Sequence, residues 1–228
     1  MKEMKPLSIF LSLDLDNKEQ VFSLVKETHP YLLGYKIGPR LFLKQGPDLI
    51  LKIKEYNSLL KIFLDFKFYD IPSSTLEAVR SAFIIGADYA TVHSSVGLPT
   101  LKALCDLEKE LNQKRFFRIL PVTVLSSVED DQILKKVEEQ ARLIVESGFN
   151  ALVCSPLELK HLRKKYKDML LVTPGIRMQG DEKGDQKRVM TPEEAFQAGS
   201  SILVMGRSLI KAQNPEEVLK KLSQKIHA

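Results

Sequence analysis

With 228 residues, 44% hydrophobic and 28% charged, the chain has the length of one large domain and the composition of an ordinary globular protein, which excludes a low-complexity or disordered polymer. Its 34 basic and 29 acidic residues leave a net charge of +5, which favours anionic ligands in a general way without identifying one. No apolar run approaches the roughly 18 residues needed to span a membrane, so no membrane partner is expected.

Eight short apolar runs follow one another along the chain: Ile9–Leu13, Leu32–Ile37, Ile62–Asp65, Tyr89–Val92, Phe117–Thr123, Ala151–Val153, Leu170–Thr173 and Ile202–Met205. They are rich in Val, Ile, Leu and Phe and show little polar alternation, as expected of strands buried on both faces of a parallel sheet. Helical patterns fall between them. The first starts near Asn17, with Val21, Leu24 and Val25 on one face, and the next covers Leu41–Tyr56. A third is expected to be capped by Ser73 or Ser74, with Glu77 following, and to run to Ile85 before Gly86. Then come Val137–Glu146 ahead of Gly148, Leu157–Tyr166 after Pro156, Pro192–Gln197 capped by Thr191, and Pro215–Ile226 capped by Asn214. Eight β–α units averaging about 28 residues close naturally into a (β/α)8 TIM barrel. No linker composition divides the chain, so residues 1–228 are read as one domain. An open doubly wound sheet is the weaker reading, because no glycine-rich dinucleotide fingerprint follows the first run.

In such barrels the active site sits at the C-terminal ends of the strands, so the residues that follow each run carry the functional information. Asp14 follows the first run, Lys36 lies in the second, and the third leads into Asp65-Phe66-Lys67-Phe68-Tyr69-Asp70-Ile71-Pro72. A strand period of two puts Asp65 and Lys67 on one side, within reach of Lys36. One such charge is ordinarily a solvated loop residue; Lys36, Asp65, Lys67 and Asp70 together point to a built site. A second cluster follows the last two runs. Thr173-Pro174-Gly175-Ile176-Arg177 opens a polar loop through Gly184-Asp185-Gln186 to Met190, and Gly206-Arg207 ends the eighth run and starts a short helix. A phosphate site at this place is a recurring barrel feature. Gly206 would let the backbone approach an anion, and Arg177 and Arg207 would supply charged donors.

The segment from Asp65 to Pro72 resembles the D-x-K-x-x-D-I-P signature of the orotidine 5'-phosphate decarboxylases. The resemblance extends from Leu13-Asp14 to Gly206-Arg207 and is strongest, in its bacterial-type form, at Val172–Arg177 and Gly184–Gln186. It implies decarboxylation of orotidine 5'-monophosphate to uridine 5'-monophosphate without a cofactor or metal. It also implies a homodimer with shared active sites and no nucleic-acid partner. Carried over by position, Lys67 is the proton donor and Asp65 the carboxylate beside the leaving group. Lys36 and Asp14 contact the ribose, and Asp70 reaches into the partner's site. Ser126 falls on a pyrimidine-contacting position, and Arg177, Gln186, Gly206 and Arg207 fall on phosphate-binding positions; Gln179 matches a phosphate contact of more distant members. The family usually has Thr four residues after the second Asp, where this chain has Ser74 followed by Thr75, which leaves open which hydroxyl meets the ligand.

Two other readings use the same residues. Sugar-phosphate decarboxylases and aldolases of the wider barrel group share the D-x-K-x-x-D core but hold magnesium partly through an acidic residue on the second strand; Lys36 stands there and would repel a cation. A non-catalytic phosphate-ligand barrel would have little use for so many clustered charges. The basic run Arg163-Lys164-Lys165-Tyr166-Lys167 reads as a solvated helix end. His93, at the end of the fourth run, and Cys154, at the end of the sixth, read as packing residues. Cys105 and Cys154 make no CxxC pair, and Asp14 comes too soon for a signal peptide, so a cytoplasmic protein is expected.

Overall fold

The computed structural model describes residues 6–124, 132–181 and 189–227. Along the chain run β1 (Leu7–Ser12), α1 (Lys18–Thr28), β2 (Leu32–Ile37), α2 (Pro39–Gln45), α3 (Asp48–Tyr56), β3 (Lys61–Phe68), α4 (Pro72–Ile84), β4 (Tyr89–His93) and α5 (Leu98–Asn112). They are followed by β5 (Arg118–Val122), α6 (Ile133–Glu146), β6 (Ala151–Val153), α7 (Leu159–Lys165), β7 (Leu170–Ile176), α8 (Pro192–Gln197), β8 (Ile202–Met205), α9 (Arg207–Ile210) and α10 (Pro215–His227). Short 3-10 turns at Ser94–Val96 and Pro156–Glu158 lead into α5 and α7. Every strand pairs in parallel with its neighbour in sequence, and β1 closes on β8, so the fold is a (β/α)8 TIM barrel. Among the described residues no helix is long and apolar enough to cross a membrane.

Two apolar cores follow from strands buried on both faces. Inside the barrel, Phe10, Phe63, Tyr89, Leu120, Val172 and Ile202 pack together, with the Phe10 ring edge-on to Phe63 and Tyr89 at 5.3 and 5.2 Å. The outer faces of the strands, such as Ile9, Leu11, Ile62 and Leu64, meet the helices through residues such as Val21, Val79 and Leu101. The polar site therefore sits on a plugged interior, as in other filled eight-stranded barrels.

The structure departs from the sequence reading at three places. The helix expected over Leu41–Tyr56 is two helices, because Gly46 turns left-handed at φ 68° and Pro47 has no N–H to continue the ladder. Ser73 and Ser74 lie inside α4 rather than capping it. Pro72 takes the first helical position, for which its fixed φ is suited, and Ile71 occupies the cap position. The hydroxyl that ties this turn down is that of Thr75, which donates to the Asp70 carbonyl (3.0 Å) and accepts the Asp70 N–H (3.3 Å). Finally, α5 was not among the expected helices, although Leu101, Leu104, Cys105 and Leu111 repeat at helical spacing and are its buried face.

Candidate active site

Strand β2 pairs with both β1 and β3, setting Ser12 opposite Lys36 and Lys36 opposite Phe63. Asp65 follows Phe63 by two residues and so rises on the same, inward face. There Lys36 Nζ lies 3.0 Å from Asp65 Oδ2, and Lys67 Nζ donates to Asp65 Oδ1 at 2.7 Å. Lys36 also stands 3.9 Å from Asp14, whose other oxygen accepts the Ser12 hydroxyl at 2.8 Å. Signs therefore alternate across the barrel mouth in the order Asp14, Lys36, Asp65, Lys67. Burial by itself would push the Asp65 carboxyl up. The charges of Lys36 and Lys67 and their hydrogen bonds outweigh it and hold the group down at about 2.

Asp65 and Lys67 meet as the spacing predicted, but not through a regular strand. The β3–β4 register slips between Leu64, opposite Ala90, and Phe68, opposite Val92. Lys67 sits inside this bulge at φ 51°, the one non-glycine residue among those described with positive φ. Such a conformation costs on the order of 1–3 kcal/mol and persists where its surroundings impose it. Its N–H donates to the hydroxyl of Thr91 (2.8 Å), and that hydroxyl lies 3.2 Å from Asp65 Oδ1. Neither Thr91 nor Ser12 stood out in the sequence. The available sign was a hydroxyl residue inside an otherwise apolar run.

The charged row lines a cavity of about 460 Å³. Phe63, Val122, Val153 and Val204 give it an apolar side, and Arg177, Gly206 and Arg207 line it near the ends of β7 and β8. Arg177 is buried, with Nη1 donating to its neighbour's carbonyl at Ile176 (2.8 Å) and its backbone N–H to Met190 (3.0 Å). Gly206, at the end of β8, lies beside the charged row: a Cβ there would stand 3.4 Å from Ser12 and 3.7 Å from the Asp14 carboxylate, ordinary contact distances. The arrangement suits a ligand with an anion at one end and a reacting bond beside Lys67 at the other.

Asp70 and Ser74 do not join this cavity. Both are exposed and line a separate surface hollow with Lys67, Tyr69 and Thr75, while Asp70 Oδ1 accepts the Ile71 N–H at 2.6 Å. Thr75 is fully buried and engaged with the Asp70 backbone, which leaves Ser74 as the outward-facing hydroxyl of the pair. Ser126 and Gln186 lie outside the described residues, and Gln179 is exposed on the turn after Arg177. His93 is half-buried, accepts the Ser95 N–H at 3.2 Å and stacks obliquely near Tyr69; burial, then the charge of Lys67, hold its imidazole below the usual value. Cys154 lines the cavity wall, but its burial pushes the thiol far up, away from the thiolate a nucleophile needs.

Fold and cavity together place the chain among the (β/α)8 barrels with a charged cavity at the C-terminal mouth. The chain belongs to the orotidine 5'-phosphate decarboxylase / HUMPS family, whose model matches residues 8–222. It is similar to the orotidine 5'-phosphate decarboxylase of Pasteurella multocida, 37% identical over 225 residues that cover 94% of this chain and 95% of that one. It is likewise similar to the Haemophilus influenzae protein of the same name, 36% identical over 230 residues covering 96% and 98%. Among solved structures it resembles an uncharacterized conserved protein from Geobacillus kaustophilus, with a TM-score of 0.79 at 25% identity over 95% of this chain and 98% of that one.

Proposed function

We propose that this chain decarboxylates orotidine 5'-monophosphate to uridine 5'-monophosphate and carbon dioxide, with Lys67 as the proton donor. The observation that carries the reading is the pair of ammonium groups, Lys36 and Lys67, on the two oxygens of one carboxylate, Asp65, in a cavity that also holds Arg177 and Arg207.

Cleaving the bond between the pyrimidine and its carboxylate leaves the electron pair on the ring carbon, in the plane of the ring, where resonance gives it little help. The barrier in water is therefore high, and the protein has to bind the transition state far better than the substrate. A cation beside the developing carbanion stabilises it, and the Lys67 ammonium then gives its proton to the same carbon. Asp65 keeps Lys67 in place, Lys36 and Asp14 take the ribose, and Ser126 takes the pyrimidine. The phosphate is held by Arg177, Gln186, Gly206 and Arg207, and its binding energy aligns the distant reacting bond. The step calls on no metal or cofactor.

The enzyme acts in this reading as a cytoplasmic homodimer. Asp70 and Ser74 serve the partner's site, which accounts for their exposure on the far side of Lys67 beside exposed Tyr69 and Ile71. The metal-dependent sugar-phosphate alternative is disfavoured by the Lys36 ammonium, 3.0 Å from the carboxylate that would have to share a cation with it. Purified protein is incubated with orotidine monophosphate and a chelator while the ultraviolet absorbance of the pyrimidine is followed. Turnover undiminished by the chelator is expected; no turnover, or turnover restored only by added magnesium, would overturn the reading.

A further inference from the structure

We infer that Thr91 is a positioning residue for the proton transfer, acting through the backbone of Lys67 and the carboxylate of Asp65; the inference rests on the function proposed above. The bulge in β3 takes the Lys67 N–H out of the regular β3–β4 ladder, since Leu64 and Phe68 are the flanking residues that pair with β4. A buried N–H without an acceptor is costly, and here the acceptor is a side chain. The Thr91 hydroxyl takes that N–H at 2.8 Å and spends its single proton on Asp65 Oδ1 at 3.2 Å. Asp65 Oδ1 also accepts Lys67 Nζ at 2.7 Å. One hydroxyl therefore closes a ring that begins at the Lys67 backbone and ends at the Lys67 ammonium.

The ring has a direct geometric consequence. Lys67 occupies φ 51°, a region lysine rarely adopts, and the Thr91 hydroxyl is the group that holds its amide there. The same hydroxyl fixes the carboxylate oxygen that aims the ammonium. Thr91 is fully buried, so water cannot replace it without entering the core. It touches neither the cavity nor, on this reading, the substrate. Its loss should misplace the proton donor while leaving ribose and phosphate contacts intact. A displacement of this kind lowers turnover more than affinity.

The test compares wild type with Thr91→Val, Thr91→Ser and Thr91→Cys. Valine keeps the shape and removes the hydroxyl, serine keeps the hydroxyl, and cysteine keeps a small side chain with weak hydrogen bonding. Thr91→Val should lose about 10- to 100-fold in kcat with KM within about 3-fold of wild type, Thr91→Ser should recover most of it, and Thr91→Cys should resemble valine. Amide hydrogen exchange gives a reading independent of turnover. The Lys67 amide should exchange at least about 10-fold faster in Thr91→Val than in wild type or Thr91→Ser. Wild-type kcat in the valine variant, a loss that serine does not repair, or unchanged exchange at Lys67 would overturn the inference. Should the valine variant fail to fold, the cysteine–serine comparison decides, and equal behaviour of those two would count against it. A wild-type protein that does not turn over orotidine monophosphate would sink the proposed function instead, and the exchange comparison would still judge Thr91.

Discussion

Replacing Asp65 with asparagine removes the charge between two ammonium groups while keeping the side chain's shape. The Asp65 carboxyl is held at about 2 in the folded chain, against an ordinary 3.8, which corresponds to about 2 kcal/mol of stability. Breaking a fully buried ion pair from one side costs about 3–5 kcal/mol. Here Lys36 is 13% exposed and Lys67 36%, so water shares the screening and the loss at neutral pH is expected nearer about 2 kcal/mol. In a chain of this length that lowers the thermal midpoint by about 4–8 °C. The sign follows from the depressed carboxyl: its contribution is fully present above about pH 4 and is lost as pH falls through about 2. Urea unfolding of both proteins from about pH 8 down to about pH 3 should show a constant gap above about pH 5 that narrows below about pH 4. Equal stability at neutral pH, or a gap undiminished at about pH 3, would refute the claim that Asp65 is stabilised by its two lysines.

Three other experiments probe the site and the barrel that carries it. Arg207→Ala should cut kcat/KM for the nucleotide about 10- to 100-fold, as the loss of one charged hydrogen bond to phosphate implies, and alter the slow reaction of the phosphate-free nucleoside by less than about 3-fold. Equal losses on both substrates, read in the same absorbance assay, would remove the phosphate role. Lys67→Ala and Asp70→Ala proteins should each be inactive alone. Mixed under subunit exchange, they should regain activity through hybrid dimers with one intact site, and confirmed hybrids without activity would place Asp70 elsewhere. Gly34→Ala should destabilise the fold by about 3 kcal/mol or more in urea unfolding, because its Cβ would fall 1.8 Å from the Lys61 carbonyl oxygen, a backbone atom that cannot turn aside. A near-neutral result would show that β2 and β3 are looser than this register implies.

Which segments become strands, and which side chains carry charge beside them, was legible in the chain alone. The bounds of β2, β6 and β8 coincide with the apolar runs Leu32–Ile37, Ala151–Val153 and Ile202–Met205, because burial on both faces leaves an unbroken apolar stretch. Lys36, Asp65 and Lys67 were likewise readable as candidates, since a charge that interrupts such a stretch needs a partner or a use. Other features depend on how strands far apart in sequence settle against one another. The sharing of Asp65 between two lysines requires the β2–β3 register. The left-handed turn at Lys67 and the hydroxyl of Thr91 beneath it arise where β3 and β4 fall out of step. Asp70 faces outward because Pro72 starts α4 early and Thr75 ties the turn to its backbone. Periodicity is a relation between neighbours along the chain and survives in the sequence. Register and bulges are set by closing eight strands into one barrel, and no single segment carries that information.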